Sequence, residues 1–173
     1  MVSPAGASRR RATLITVHSM TVHVLSYEVE GWGIGLLWVD GDVLVAHELP
    51  RARASRARPA ADGLAERFRV YFTGAPDTFA DVKLDLEWAT PFQRAVVLAL
   101  RTVPYGATVT YGELAALAGR PNAYRAAGSV CAGNRFPLVV PCHRVVAASG
   151  IGPYGPSGTE YKRRLLELEG VAL

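Results

Sequence analysis

The apolar residues of this chain change period partway along it, and that change restricts the fold to a sheet region followed by a helical one. From Ala12 to Val45, short runs rich in Val, Ile, Leu and Thr alternate apolar with polar residues. Ala12–Val17, Thr21–Tyr27 and Gly33–Val39 are therefore predicted strands of a small antiparallel sheet. Asp40-Gly41, between Trp38-Val39 and Val43–Val45, supplies a hairpin turn. A helix is expected from Ala61 to Phe72. The stretch from Asp77 to Leu86 has no period, and from Thr90 onward the pattern is helical. Two lobes follow, residues 1–86 and 87–173, in an α+β chain.

The second lobe carries clear punctuation. Thr90-Pro91-Phe92-Gln93 opens a helix with a cap and a proline in its first turn, and Phe92, Val96, Val97 and Leu100 form its apolar face. Pro104-Tyr105-Gly106 ends it. Thr110-Tyr111-Gly112-Glu113 has capping-box spacing, and Leu114, Ala115 and Leu117 are the expected buried face of a short helix that stops at Gly119. Pro121 and Asn122 start a second helix running to about Gly133. Two short helices joined by Gly119-Arg120-Pro121 form a helix-turn-helix pattern, one that many helical hairpins share without binding DNA.

Composition narrows the classes of function. Of 173 residues, 50% are hydrophobic and 20% charged, an ordinary globular balance with enough length to bury a core. The formal charge of +4 suits a polyanionic partner without requiring one. Cys131 and Cys142 are the only cysteines, too few for a disulfide framework, which favours a reducing interior. No span reaches membrane length, and no apolar stretch follows Arg9-Arg10-Arg11, so neither a membrane anchor nor a signal peptide is expected. A cytoplasmic protein is the expectation. The Arg-rich run Arg51–Pro59 is most simply a solvated loop, with a DNA contact as the other reading.

The chemistry concentrates at Cys142. Phe136–Pro141 is an apolar segment, expected to be extended, that delivers this cysteine to a buried place or a pocket. A lone buried cysteine is usually packing. Here His143 follows directly, and a thiol must become a thiolate before it attacks carbon, so an imidazole beside it has a role. Side chains adjacent on an extended strand point to opposite faces, so a turn or a water relay is needed to couple the two. A third group must hold His143 in one tautomer, and Glu160, Glu167 and Glu169 all remain open by spacing. A zinc site fails on ligand count, since Cys131, Cys142 and His143 have no fourth partner at a familiar spacing.

Five segments in order carry a resemblance to a known family: Val103–Gly106, Val109–Ala115, Arg125 in the second helix, Gly133-Asn134 followed by Pro141-Cys142-His143-Arg144-Val145, and Lys162–Gly170. From about Thr90 to Gly170 the chain resembles the O6-alkylguanine-DNA alkyltransferases, also called methylated-DNA--protein-cysteine methyltransferases. The resemblance implies a ribonuclease-H-like antiparallel sheet lobe before a winged-helix-like lobe. It implies direct reversal of damage, with the Cys142 sulfur taking the alkyl group from guanine O6 and, less well, from thymine O4. His143 would take the thiol proton through water and Glu169 would orient His143. Asn134 would bridge the second helix to the active-site segment, and Tyr111 would donate a proton toward the guanine ring.

The second helix bears few long side chains, which suits close approach in the minor groove of double-stranded DNA better than base reading in the major groove. Ala123, Ala126, Ala127 and Gly128 are its expected contacts, and Arg125 would enter the stack in place of the extruded nucleotide. Pro137, Val145, Cys131, Tyr154, Gly155 and Ser157 are expected to line the base pocket. Pro156 and Ser157 interrupt the family's usual order after its pocket tyrosine, which leaves Tyr154 or Gly155 for that place and Ser157 as the hydroxyl near O6. No metal and no cofactor are expected, and the protein is expected to be a monomer. The thioether product is a poor leaving group, so one molecule should repair one lesion. Two rivals remain: a damage sensor that flips and holds the lesion without repairing it, and a DNA-binding regulator that merely shares the helix-turn-helix.

Overall fold

The computed structural model describes residues 21–61 and 63–172. The strand expected at Ala12–Val17 lies outside them. Three long strands form the sheet: β1 (His23–Val29), β2 (Gly33–Asp40) and β3 (Val43–Arg51), each antiparallel to the next. Two short strands close the edges, β4 (Arg58–Pro59) beside β1 and β5 (Lys83–Leu84) beside β3, in the order β4-β1-β2-β3-β5. Both edge strands run parallel to their neighbours, so the sheet is mixed rather than purely antiparallel. The β2–β3 turn also lies one residue later than expected. Asp40 pairs with Val43, leaving Gly41 and Asp42 as the loop, and Gly41 takes the positive φ of 58° that such a turn requires.

A glycine on β2 lets the sheet carry a large aromatic. Tyr27 lies opposite Gly35, and a Cβ at Gly35 would fall 2.3 Å from the Tyr27 ring, so only glycine fits there. The ring lies across this gap and brings the Tyr27 hydroxyl to His47 on β3. Helix α1 (Gly63–Tyr71) covers the sheet with Ala65, Phe68 and Tyr71, the positions that share one face of a helix. Phe68 and Tyr71 are fully buried, and each such side chain contributes about 1.5–3 kcal/mol by leaving water. His47 stacks on Phe68 with centroids 4.3 Å apart.

Helix α2 (Pro91–Leu100) and helix α3 (Tyr111–Leu117) each begin with a reciprocal capping box, at Thr90 with Gln93 and at Thr110 with Glu113. Gly119, at φ 75°, ends the α3 turn, and α4 (Tyr124–Ala132) follows. α4 begins later than expected from Pro121-Asn122, because those two residues belong to the turn. Leu117 does not face the core: it is 57% exposed, and the buried stripe of α3 is Leu114-Ala115, with Ala118 beside it. Leu117 opens instead onto a shallow groove with Val109, Glu113 and Ala116. Two-residue strands β6 (Val109–Thr110) and β7 (Val145–Val146) pair in parallel, and α5 (Gly158–Leu168) closes the fold. One continuous apolar core joins the sheet, α1 and the helices.

Candidate active site

The segment carrying Cys142 bends instead of extending. Five of its six apolar residues are buried and Pro137 is half-buried at the cavity, in a turn where the Val140 amide donates to the Phe136 carbonyl and Leu138 sits at φ 73°. A single 3₁₀ turn, Cys142–Arg144, follows. The apolar run looked extended because burial alone cannot distinguish a strand from a buried bend. The 3₁₀ turn sends consecutive side chains in different directions. Cys142 faces a cavity of about 510 Å³, and His143 points into the core, wholly buried.

Behind the cysteine lies a dense polar cluster around Glu169. His143 Nε2 is 2.7 Å from Glu169 Oε1. Arg144 approaches the same carboxylate twice, Nε at 3.0 Å from Oε2 and Nη2 at 2.9 Å from Oε1, while its Nη1 donates to the Val103 carbonyl. The Tyr71 hydroxyl donates to Oε1 and the Gly106 amide to Oε2. Burial pushes the Glu169 carboxyl up, but hydrogen bonds from His143 and Arg144 and the charge of Arg144, joined by that of His143 where low pH protonates it, outweigh it and hold its pKa at about 2. An ionised carboxylate only accepts, so His143 Nε2 carries the proton. Nδ1 is then the basic nitrogen, and it is buried without a hydrogen-bond partner. Burial lowers the His143 pKa despite Glu169, so the ring is neutral and able to take a proton.

The thiol has its own set of partners. Asn134 follows α4, and its amide Nδ2 donates to the Cys142 sulfur at 3.0 Å and to the Val140 carbonyl at 2.7 Å, while its Oδ1 accepts from Phe136 N. The end of the second helix is thereby tied to the cysteine segment. Burial raises the Cys142 pKa, and hydrogen bonds from Asn134 and Tyr154 with the charge of Lys162 oppose that rise. The Tyr154 hydroxyl is buried with no partner of ordinary hydrogen-bond geometry, yet lies close enough to the sulfur to favour the thiolate. Burial raises the Cys131 thiol to about 12, which leaves it inert beside Cys142.

The cavity gathers most of the residues expected at it. Tyr111, Gly128, Cys131, Asn134, Pro137, Cys142, Tyr154, Gly155 and Ser157 line it. Val145 does not: it is fully buried, paired with Val109 in the β6–β7 ladder. Ala127 is fully buried as well, because its face of α4 points at the core, so it is unable to touch DNA. Ala126 and Arg125 are exposed, Ala123 is half-buried, and the Arg125 guanidinium rests over the Tyr124 ring. Among Glu160, Glu167 and Glu169, the structure brings only Glu169 to His143.

Four side chains at the site escaped the sequence reading. Tyr71 and Arg144 complete the Glu169 cluster. Lys162, fully buried on α5, donates to the Val145 and Pro153 carbonyls and fastens the loop between them. His47 lines the cavity from the sheet and holds the Pro137 carbonyl through Nδ1 at 2.7 Å. A signal for Lys162 was present in its spacing, since Lys162, Leu165, Leu166 and Glu169 fall at i, i+3, i+4 and i+7 on one helix face. Among the described residues, no cluster of three or more His, Cys, Asp or Glu side chains is placed to hold a metal.

A cysteine facing a cavity, with a histidine hydrogen-bonded to a buried carboxylate behind it and a helix-turn-helix beside it in a mixed α+β fold, defines the class of protein. Residues 91–171 match the family model described as "6-O-methylguanine DNA methyltransferase, DNA binding domain". The Methylated-DNA--protein-cysteine methyltransferase of Methanothermobacter thermautotrophicus is 35% identical over 144 residues, 81% of each chain. The Mycobacterium tuberculosis protein of the same name is 47% identical over 108 residues, which span 62% of this chain and 64% of that protein. The fold matches the crystal structure of Mycobacterium tuberculosis O6-methylguanine methyltransferase with a TM-score of 0.74 and 35% identity, over 88% of this chain and 96% of that one. A structure of Mycobacterium tuberculosis OGT in complex with DNA matches at 0.72 and 37% identity, over 86% and 93%. The chain belongs to the O6-methylguanine DNA methyltransferase family.

Proposed function

We propose that this protein repairs alkylated DNA by direct reversal, moving the alkyl group of O6-alkylguanine, and less readily of O4-alkylthymine, onto Cys142. The observation that carries this reading is the arrangement at the cavity wall: a thiol facing the cavity, with a neutral, Glu169-oriented imidazole behind it. His143 Nδ1 takes the thiol proton through a water, and the Glu169 carboxylate stabilises the imidazolium that forms. The thiolate attacks the alkyl carbon, an S–C bond forms as the C–O6 bond breaks, and the electron pair stays on the guanine. Tyr111 passes a proton to the ring, and the proton held on His143 leaves to solvent, from which Tyr111 recovers its own, so both groups end neutral. The thioether is stable and Cys142 is consumed, so one molecule repairs one lesion.

The sheet lobe, which ends at about residue 86, is ribonuclease-H-like, and the lobe that follows from residue 87 is winged-helix-like. α4 docks in the minor groove through Ala123, Ala126 and Gly128, with Arg125 filling the gap left by the flipped nucleotide. The protein acts as a monomer in the cytoplasm, without cofactor.

Intact-mass analysis after incubation with duplex DNA containing O6-methylguanine tests the reading. A gain of one methylene localised to Cys142, absent in Cys142→Ala although that variant still binds, is expected. Binding with no mass gain overturns it in favour of a non-catalytic damage sensor.

A further inference from the structure

The cavity at Cys142 is built from both the sheet and the helical part of the chain. One wall is the last part of β3, His47 to Arg51, facing Tyr111 and Gly128 of the helix-turn-helix and Gly155–Ser157 of the turn before α5. Among the residues lining it, Arg51 alone is an arginine or lysine, and its side chain is 64% exposed. The Arg-rich run that begins there had no role in the chemistry above.

Its arginines differ in how firmly they are held. Arg53 is anchored, with Nε donating to the Ile34 carbonyl at 2.9 Å, Nη1 to Glu48, and a side chain only 15% exposed. Arg51 has a single partner, the same Glu48 carboxylate at 3.2 Å, in an exposed pair of the kind that contributes little. Glu48 therefore stays neutralised by Arg53 when Arg51 turns away. The arrangement presents one movable cation at the rim of the pocket and keeps the nearby carboxylate occupied.

A nucleotide whose base enters that cavity leaves its sugar and flanking phosphates at the rim. We propose that Arg51 contacts a backbone phosphate of the extruded nucleotide, so that the end of β3 belongs to the DNA interface and not only to the scaffold. The inference rests on the proposed entry of the flipped base into the Cys142 cavity. An arginine matches a phosphate through paired donors, and such a contact adds affinity without reading sequence.

The salt dependence of binding tests it, using the full chain with Cys142→Ala to prevent transfer and a duplex carrying O6-methylguanine. Each phosphate contact contributes about 0.9 to the slope of log affinity against log salt concentration. Arg51→Gln should lower that slope by about 0.9. Glu48→Gln, which releases Arg51 and removes a carboxylate from the rim, should tighten binding. In the background that keeps Cys142, Arg51→Gln should slow transfer from duplex DNA by a larger factor than reaction with free O6-methylguanine base.

An unchanged slope in Arg51→Gln overturns the assignment and makes Arg51 a solvated surface residue. An equal loss against free base overturns it too, placing Arg51 in the pocket rather than on the backbone. If the parent protein itself transfers no methyl group from the duplex, the proposed function fails first, and that result is distinct from a normal transfer with an unchanged slope.

Discussion

His143 Nε2 and Glu169 Oε1 meet at 2.7 Å in the interior, 26 residues apart in sequence, and this contact decides which imidazole nitrogen is the base. Glu169→Gln keeps the shape but removes the charge that holds the ring in its tautomer and supports the imidazolium. It also leaves the Arg144 guanidinium, 5% exposed, without its counter-charge. Breaking a buried pair of this kind costs about 3–5 kcal/mol. Urea unfolding should show a loss of that order, and single-turnover transfer measured below the unfolding transition should fall by more than tenfold. Transfer at the parental rate would remove Glu169 from the relay.

Tyr71 brings the first lobe into the same cluster, its hydroxyl donating to Glu169 and lying 3.3 Å from His143 Nε2. Tyr71→Phe keeps the ring, which packs edge-on against Tyr105, and deletes only the donor. A hydrogen bond to a charged group is worth about 1.5–3 kcal/mol, so the midpoint of chemical denaturation should drop correspondingly. DNA binding, measured by fluorescence anisotropy, should be unaffected because the residue is wholly buried. A variant as stable as the parent would show that the hydroxyl adds nothing to the cluster.

These two residues mark how far the sequence could be read. The cap at Thr90 and the capping box at Thr110 were legible because their residues lie within one turn, and the Cys142-His143 dipeptide because its chemistry is in the residue types; that Gln93 closes a second box at Thr90 came from the structure. Spacing alone left Glu160, Glu167 and Glu169 open, and the family resemblance singled out Glu169. Tyr71 was invisible because its partner Glu169 is 98 residues away, and a tyrosine in an amphipathic helix looks like packing. Arg144 was given no role of its own for the same reason, its partners being Glu169 and the Val103 carbonyl far away in sequence. The edge strands β4 and β5 are two residues each, too short for alternation to register, and exist only through their neighbours. Leu138, at positive φ in an apolar run, breaks the expected strand where no glycine or asparagine announced it.

The amide of Asn134 donates to the sulfur, and burial already raises the Cys142 pKa, so Asn134→Ala should raise it further. The thiolate fraction at neutral pH then falls, by about tenfold for each pH unit that the midpoint moves. The pH profile of alkylation by iodoacetamide, followed by mass spectrometry at Cys142, reports that midpoint directly. It should move to higher pH in Asn134→Ala. A slower reaction with an unmoved midpoint would make Asn134 a purely structural bridge between α4 and the Val140 carbonyl.

His47 links acid stability to the cysteine segment. Its Nδ1 donates to the Pro137 carbonyl, which leaves Nε2 to accept from the Tyr27 hydroxyl, so the neutral ring satisfies both partners. Burial lowers its pKa from 6.5 to about 4, with the Pro137 carbonyl and Glu48 opposing the fall and Arg53 adding to it. Above 6.5 the ring is neutral folded or unfolded and full stability is present. As pH falls through 6.5 the unfolded chain takes up the proton first, and stability is lost until about 4, where the folded ring also charges. The gap is worth about 3 kcal/mol. His143, also lowered by burial, adds to the loss below 6.5, and Glu169 extends it from 4.5 down to about 2. His47→Asn keeps a donor for Pro137 but does not titrate, so unfolding free energies measured between pH 7 and pH 4 should decline less steeply in this variant than in the parent. Parallel declines in the two proteins would show that His47 takes no part in the acid transition.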